Sequence, residues 1–112
     1  MSNDWTPAAY LAHVAFFDRR ALELARRFTS ASEVRESPID VHVINDALLP
    51  QWRLIGPRAA VQEAIAAAEA TDAAIAGLAP DIVERVQALD AFTLNRANHR
   101  NLHLDEIEAL FR

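Results

Sequence analysis

The sequence predicts an all-α protein, and three observations predict it. Alanine and leucine are abundant, glycine occurs only twice and β-branched residues do not cluster, so intrinsic propensity favours helix over sheet. Apolar residues recur at steps of three and four over long stretches, which is the period of one helix face. Thr6-Pro7 and Gly56-Pro57 place proline where a helix can begin without losing a donor it needs. The 112 residues have the size of one domain, 1–112, long enough to bury a core and too short for a second.

The first long helix should begin at Thr6-Pro7, where the threonine hydroxyl can accept an early backbone N–H. Leu11, Val14, Phe17, Ala21, Leu24 and Phe28 then form one apolar stripe that must pack on other helices. The polar stretch from Thr29 through Ser37-Pro38 reads as a loop, followed by a shorter helix over Ile39 to Leu49. Gly56-Pro57 reopens helix, and Val61, Ile65, Ala68, Ile75 and Leu78 keep the spacing to a stop at Gly77–Pro80. Alanine dominates this segment, so a neighbouring helix can approach closely. Asp81 to Leu89 forms a short amphipathic turn or two, and Phe92 to Phe111 reads as the last long helix.

Several function classes are excluded by what is present. No stretch approaches the roughly 18 to 20 uncharged apolar residues of a membrane-spanning helix. The start, MSNDWTP, lacks a basic region leading into an apolar one, which predicts a soluble, cytoplasmic protein. Without cysteine there is neither a disulfide nor a thiolate ligand or nucleophile. Eleven basic side chains against sixteen acidic ones give a net charge of −5, which repels nucleic-acid phosphates. A glycine-rich phosphate loop, a serine nucleophile elbow and a carboxylate pair suited to glycoside hydrolysis are all missing.

What chemistry the sequence carries sits on its histidines. His99 and His103 are four residues apart, so on a helix their side chains lie one turn apart on the same side and can grip one metal ion. The same line continues to Ile107 and then Leu110 or Phe111, which turns the pair toward the core. Two histidines at this spacing can equally be hydrogen-bonded core residues. His13 lies beside Tyr10 and Phe17 at the edge of the first stripe and can supply a third nitrogen from across the bundle. Three imidazoles would leave a coordination position for water or substrate, as catalytic zinc sites do. His42, flanked by Asp40 and Asp46, reads as a surface residue.

Three blocks of the chain resemble the DinB-like metal-binding four-helix-bundle superfamily. Trp5-Thr6-Pro7 with Leu11-Ala12-His13 and Phe17 resembles its tryptophan-led helix. Asp40-Val41 to Ile44-Asn45 before the Gly56-Pro57 helix is similar to its aspartate-valine and asparagine stretch. Asn95, His99 and His103 followed by Leu104-Asp105-Glu106-Ile107 resembles its final helix. The resemblance implies an up-and-down helical bundle, here with three long helices plus one short connecting helix, and a divalent ion held by His13, His99 and His103. Members of the superfamily include transferases and isomerases that use low-molecular-weight thiols. They usually carry a further helix before the tryptophan, whereas only residues 1–4 precede Trp5 here. The expected consequence is an apolar groove along Leu11 to Phe28, covered in a homodimer.

Glu106, three residues after His103, can orient a ligand histidine or act as a general base beside a bound water. Arg19, Arg20, Arg26 and Arg27 form a basic strip that reads as a solvated face paired with acidic neighbours, or else attracts an anionic cosubstrate. Trp5, Tyr10 and Trp52 read as packing anchors. The leading expectation is a metal-dependent transferase or hydrolase whose open position takes water or a thiol. Nitrogen ligands alone do not choose among zinc, nickel and iron. The alternatives are a truncated, non-catalytic module that binds a small molecule or a partner, and a structural helical dimer with its histidines hydrogen-bonded inside.

Overall fold

Thr6 and Pro7 start the first helix as expected: Thr6 Oγ1 accepts the Ala9 N–H at 3.1 Å, and Pro7 occupies a first-turn position that needs no donor. The computed structural model describes residues 5–109, and among them are five helices and no strand. These are α1 (Pro7–Ala31), α2 (Val41–Trp52), α3 (Pro57–Ala76), α4 (Pro80–Leu89) and α5 (Arg96–Ala109). α1 is the element the others share. It packs along its length on α3 and also meets α2 and α5.

The boundaries differ from expectation in ways that have local causes. α1 runs through Thr29 and Ser30, both expected to be loop, until Ser32 turns left-handed at φ 52° and gives its N–H to the Phe28 and Thr29 carbonyls. α2 starts at its cap Asp40, whose side chain accepts the Val43 N–H at 3.1 Å, and tolerates Pro50 in its last turns. The final helix begins at Arg96 rather than Phe92. Asp90, left-handed at φ 50°, ends α4, and the irregular bridge that follows buries Ala91 and Phe92 in the core, which a continuing helix would not do. The expected extension to Phe111 lies outside the described residues.

The expected α3 stripe holds in its second half, where Ile75 and Leu78 pack against the core around Phe28 and Val86, and departs in its first. Val61 and Ile65 are exposed, and the face turned to α1 consists of Ala60, Ala67 and Thr71. Small side chains there let the two helix backbones approach, while the larger residues lie one position around the helix.

Two apolar clusters occupy the two ends of α1. One gathers Ala21, Ala25 and Phe28 with Val34, Ile82, Val86 and Phe92. The other gathers Trp5, Ala9, Tyr10 and Ala12 with Trp52, flanked by Phe16, Leu48 and Ile107. Between them α1 carries two buried polar residues, His13 and Asp18.

Asp18, 0% exposed, joins three helices. Its Oδ1 accepts from Arg96 Nε at 3.0 Å and its Oδ2 from Arg100 Nε at 2.8 Å. Arg100 in turn donates through both terminal nitrogens to Asp72 of α3, at 2.8 and 2.9 Å. The Thr71 hydroxyl lies 2.9 Å from the Asp18 carbonyl and 2.6 Å from that of Ala67, and its single proton serves one at a time. On α5 the buried residues are Arg96 and His103, whereas Leu102 and Leu104 are exposed. That helix is therefore held mainly by charge.

Removing one partner of a buried ion pair leaves the other charge uncompensated, at a cost of about 3–5 kcal/mol. Asp18→Ala is expected to lose stability in that range in urea unfolding followed by circular dichroism. A loss of less than about 1 kcal/mol, the worth of an exposed pair, would show that water screens the cluster.

Candidate metal centre

The backbone geometry of α5 puts Arg96, His99, Arg100 and His103 on one face, at successive steps of three, one and three residues. The arginines find Asp18, and this sets the rotation that turns the two histidines toward His13 on α1. The three Nε2 atoms form a triangle with edges of 3.2 Å (His13–His99), 3.0 Å (His13–His103) and 3.0 Å (His99–His103). His13 and His103 are buried and His99 is half-buried. Among the described residues this is the group whose ligand atoms lie close enough together to hold a metal ion.

Hydrogen bonds among the rings cannot account for the triangle. A neutral imidazole nitrogen is either an N–H donor or a lone-pair acceptor, so three nitrogens in mutual contact always leave at least one pair mismatched. A Lewis acid accepts all three lone pairs at once. Nitrogens about 2.0–2.1 Å from a shared ion stand about 2.9 Å apart at a right angle and about 3.3–3.4 Å apart at a tetrahedral angle. The observed edges fall inside that span, so the donor set fits a divalent ion.

The surroundings keep the rings neutral, as ligands must be. Burial, followed by the neighbouring His103 and His99, pushes His13 from its ordinary 6.5 to about 3. Burial and then His103, with Arg96 and Arg100 adding to it, pushes His99 to about 4. Burial also lowers His103, against the opposing pull of Glu106. Trp5 and Trp52 each set a ring edge-on to His13 at 5.4 Å, and Phe17 does so at 4.9 Å. These aromatic walls do the desolvating.

The outer nitrogens are less completely served. All three Nδ1 atoms are buried without a well-aligned hydrogen bond. Glu106 Oε1 lies 3.2 Å from His103 Nδ1, at hydrogen-bond distance though off the favoured direction. That places Glu106 behind the ligand ring, on the opposite nitrogen from the triangle. Its position suits orienting His103 rather than acting on a water at the centre. Burial, with the Glu106 carboxylate next, raises the Tyr10 phenol, which ties Tyr10 to the same chain of contacts.

A cavity of about 330 Å³ opens beside the triangle. Phe17, Val41, Asn45, Thr93 and Arg96 line it together with the three histidines. Thr93 and Arg96 lie outside the set of residues that the sequence pattern points to. The signal was present: Arg96 precedes His99 by three residues and His103 by seven, so it had to share their face. His42 is exposed. The basic strip is solvated, with Arg19 bidentate to Glu63 at 2.9 Å, Arg26 and Arg27 near Glu23, and Arg20 on the Ser37 carbonyl. Trp5, Tyr10 and Trp52 are packing residues that also wall the site.

No protein-family model matches the chain, and no curated protein or solved structure matches it either. Among the described residues no helix is long and apolar enough to cross a membrane.

The lowered histidines fix a sign for acid stability. Between about pH 4 and the ordinary 6.5 the unfolded chain takes up protons that the folded one refuses, so stability falls as pH drops through that window. The melting temperature of metal-free protein is expected to fall between pH 7 and pH 5, above the range where carboxylates titrate. The fall should shrink in His99→Ala plus His103→Ala, and an equal fall in both proteins would place its origin elsewhere.

Proposed function

We propose that the protein is a metal-dependent enzyme of the DinB-like superfamily, in which His13, His99 and His103 hold one divalent ion and leave a position open to water or a low-molecular-weight thiol. The observation that carries this reading is the Nε2 triangle, whose mutual contacts hydrogen bonding cannot satisfy. A zinc, nickel or iron ion bound there supplies Lewis acidity, which lowers the pKa of a coordinated group and stabilises developing negative charge. The chain's own residues do the rest. The aromatic rings around His13 exclude water, Glu106 orients His103 from behind, and the adjoining cavity offers room for a small substrate. The reaction class is transfer or hydrolysis, in the cytoplasm.

Metal content per chain, measured on protein purified without tag or chelator, tests the reading. Near-stoichiometric metal is expected in the native protein and its loss in His99→Ala plus His103→Ala. A native protein that holds no metal and cannot be loaded would overturn it.

The second reading is a non-catalytic module that works as a homodimer or binds a partner. An apolar groove of about 300 Å³ favours it, lined by Leu11, Val14, Val61, Ile65, Leu104 and Ile107. Farther along α1, Ala21 and Phe28 are covered from within the chain. A homodimer that closes the groove sediments at twice the chain mass, and Ile65→Glu should return it to monomer. A monodisperse native monomer would rule the dimer out.

A further inference from the structure

The cavity beside the histidines has an electrostatic character that the metal alone does not explain. Its lining contains a guanidinium, an amide, a hydroxyl and three imidazoles, but no carboxylate. Glu106 stands behind His103, on the Nδ1 side, and Asp18 is fully buried behind the arginines. Arg96 is 8% exposed. It spends Nε on Asp18 at 3.0 Å and Nη1 on the Thr93 carbonyl at 3.4 Å. Among the described residues Nη2 has no hydrogen-bond partner, on a side chain that lines the cavity.

The local charge is also unbalanced. Arg96 and Arg100 share the single carboxylate of Asp18, and Arg100 has Asp72 besides. Arg20 is a third guanidinium in the neighbourhood: burial and then the Arg96 charge hold it below its ordinary value. Of these three guanidinium groups only Arg96 lines the cavity. A divalent ion on three neutral imidazoles adds two more positive charges to a wall that holds no anion of its own.

We infer that this cavity binds a small organic carboxylate, one end held by Arg96 and the other reaching the metal position, an inference that rests on the metal reading above. Arg96 and His99 are three residues apart on α5 and border the same cavity, so one small acid can meet both. The volume sits at the lower end of the about 300–1,000 Å³ usual for ligand pockets, which suits a small acid. Nη2 carries two N–H donors, which suits a carboxylate.

The probe is lactate against its neutral isostere lactamide, titrated into cobalt-loaded protein and read from the cobalt absorption bands and by calorimetry. Lactate is expected to bind at least about tenfold tighter, the least that a charge-assisted hydrogen bond contributes. Arg96→Lys retains the charge opposite Asp18 but has no second nitrogen to offer. It should keep cobalt and lose most of the preference. Arg96→Gln leaves Asp18 paired with Arg100 and should behave alike. If cobalt loads and lactate leaves the bands unmoved, or if both variants keep the preference, the carboxylate inference falls and the metal centre stands. If cobalt does not load, both fall together.

Discussion

The attachment of α5 depends on one buried carboxylate. Most helices in a small bundle are held by an apolar face, but α5 turns Arg96 and His103 inward and leaves Leu102 and Leu104 in water. Asp18 makes that orientation possible, because its two oxygens are saturated by two guanidinium groups and Thr71 fixes its backbone. Buried ion pairs are seldom more stabilising than apolar packing of the same volume, since desolvation offsets most of the attraction. What such a pair supplies is direction. An apolar face can slide by a residue with little loss, whereas a carboxylate with both oxygens occupied accepts one arrangement of its donors.

Direction is what the histidine triangle needs. Three imidazole nitrogens within 3.2 Å of one another are an unfavourable set while each is neutral and unsatisfied, and burial prevents them from relieving the mismatch by taking up protons. The strain must be borne by neighbours that prefer this arrangement for their own reasons. At one end these are Trp5, Trp52 and Phe17 around His13, and at the other the Asp18 cluster, with the Phe28–Phe92 cluster adding stability beyond it. Local mismatch supported by consistent packing elsewhere is the usual mark of a site kept for function.

Much of this was legible in the sequence, and the misses have physical reasons. Helix starts with a local signature, Thr6-Pro7 and Gly56-Pro57, were readable because capping involves only adjacent residues. The pairing of His99 with His103 was readable from their four-residue spacing, while His13, at the edge of the first stripe, joined them through the family resemblance. The Phe92 start failed because burial of Phe92 depends on residues far away in sequence, such as Phe28, whose ring stacks on it at 6.3 Å. The first half of the α3 stripe differs for a related reason. Counting large apolar residues selects Val61 and Ile65, while close helix approach selects the alanines beside them. Asp18 did carry a signal: it sits four residues after Val14 and three before Ala21, on the inward stripe, where an unpaired charge cannot stay. Its partners, however, are on α5 and could not be located without the fold.

The arrangement of α5 then explains why a short, polar helix can hold a site at all. Each residue along a helix advances 1.5 Å and turns about 100°. The clamp residues Arg96 and Arg100 and the histidines His99 and His103 share one narrow face, interleaved along it. A slip of one residue would take both guanidinium groups off Asp18 and both imidazoles away from His13 in the same movement. Register is therefore fixed twice by independent chemistry, and neither interaction can be satisfied in a register that breaks the other. With so much of the face committed to these pairs, few apolar residues are left to bury, and Val61, Ile65 and Leu104 stay open beside Arg100. The apolar groove and the polar site are two results of one choice, that of using charge and imidazole instead of hydrocarbon to seat α5 on α1.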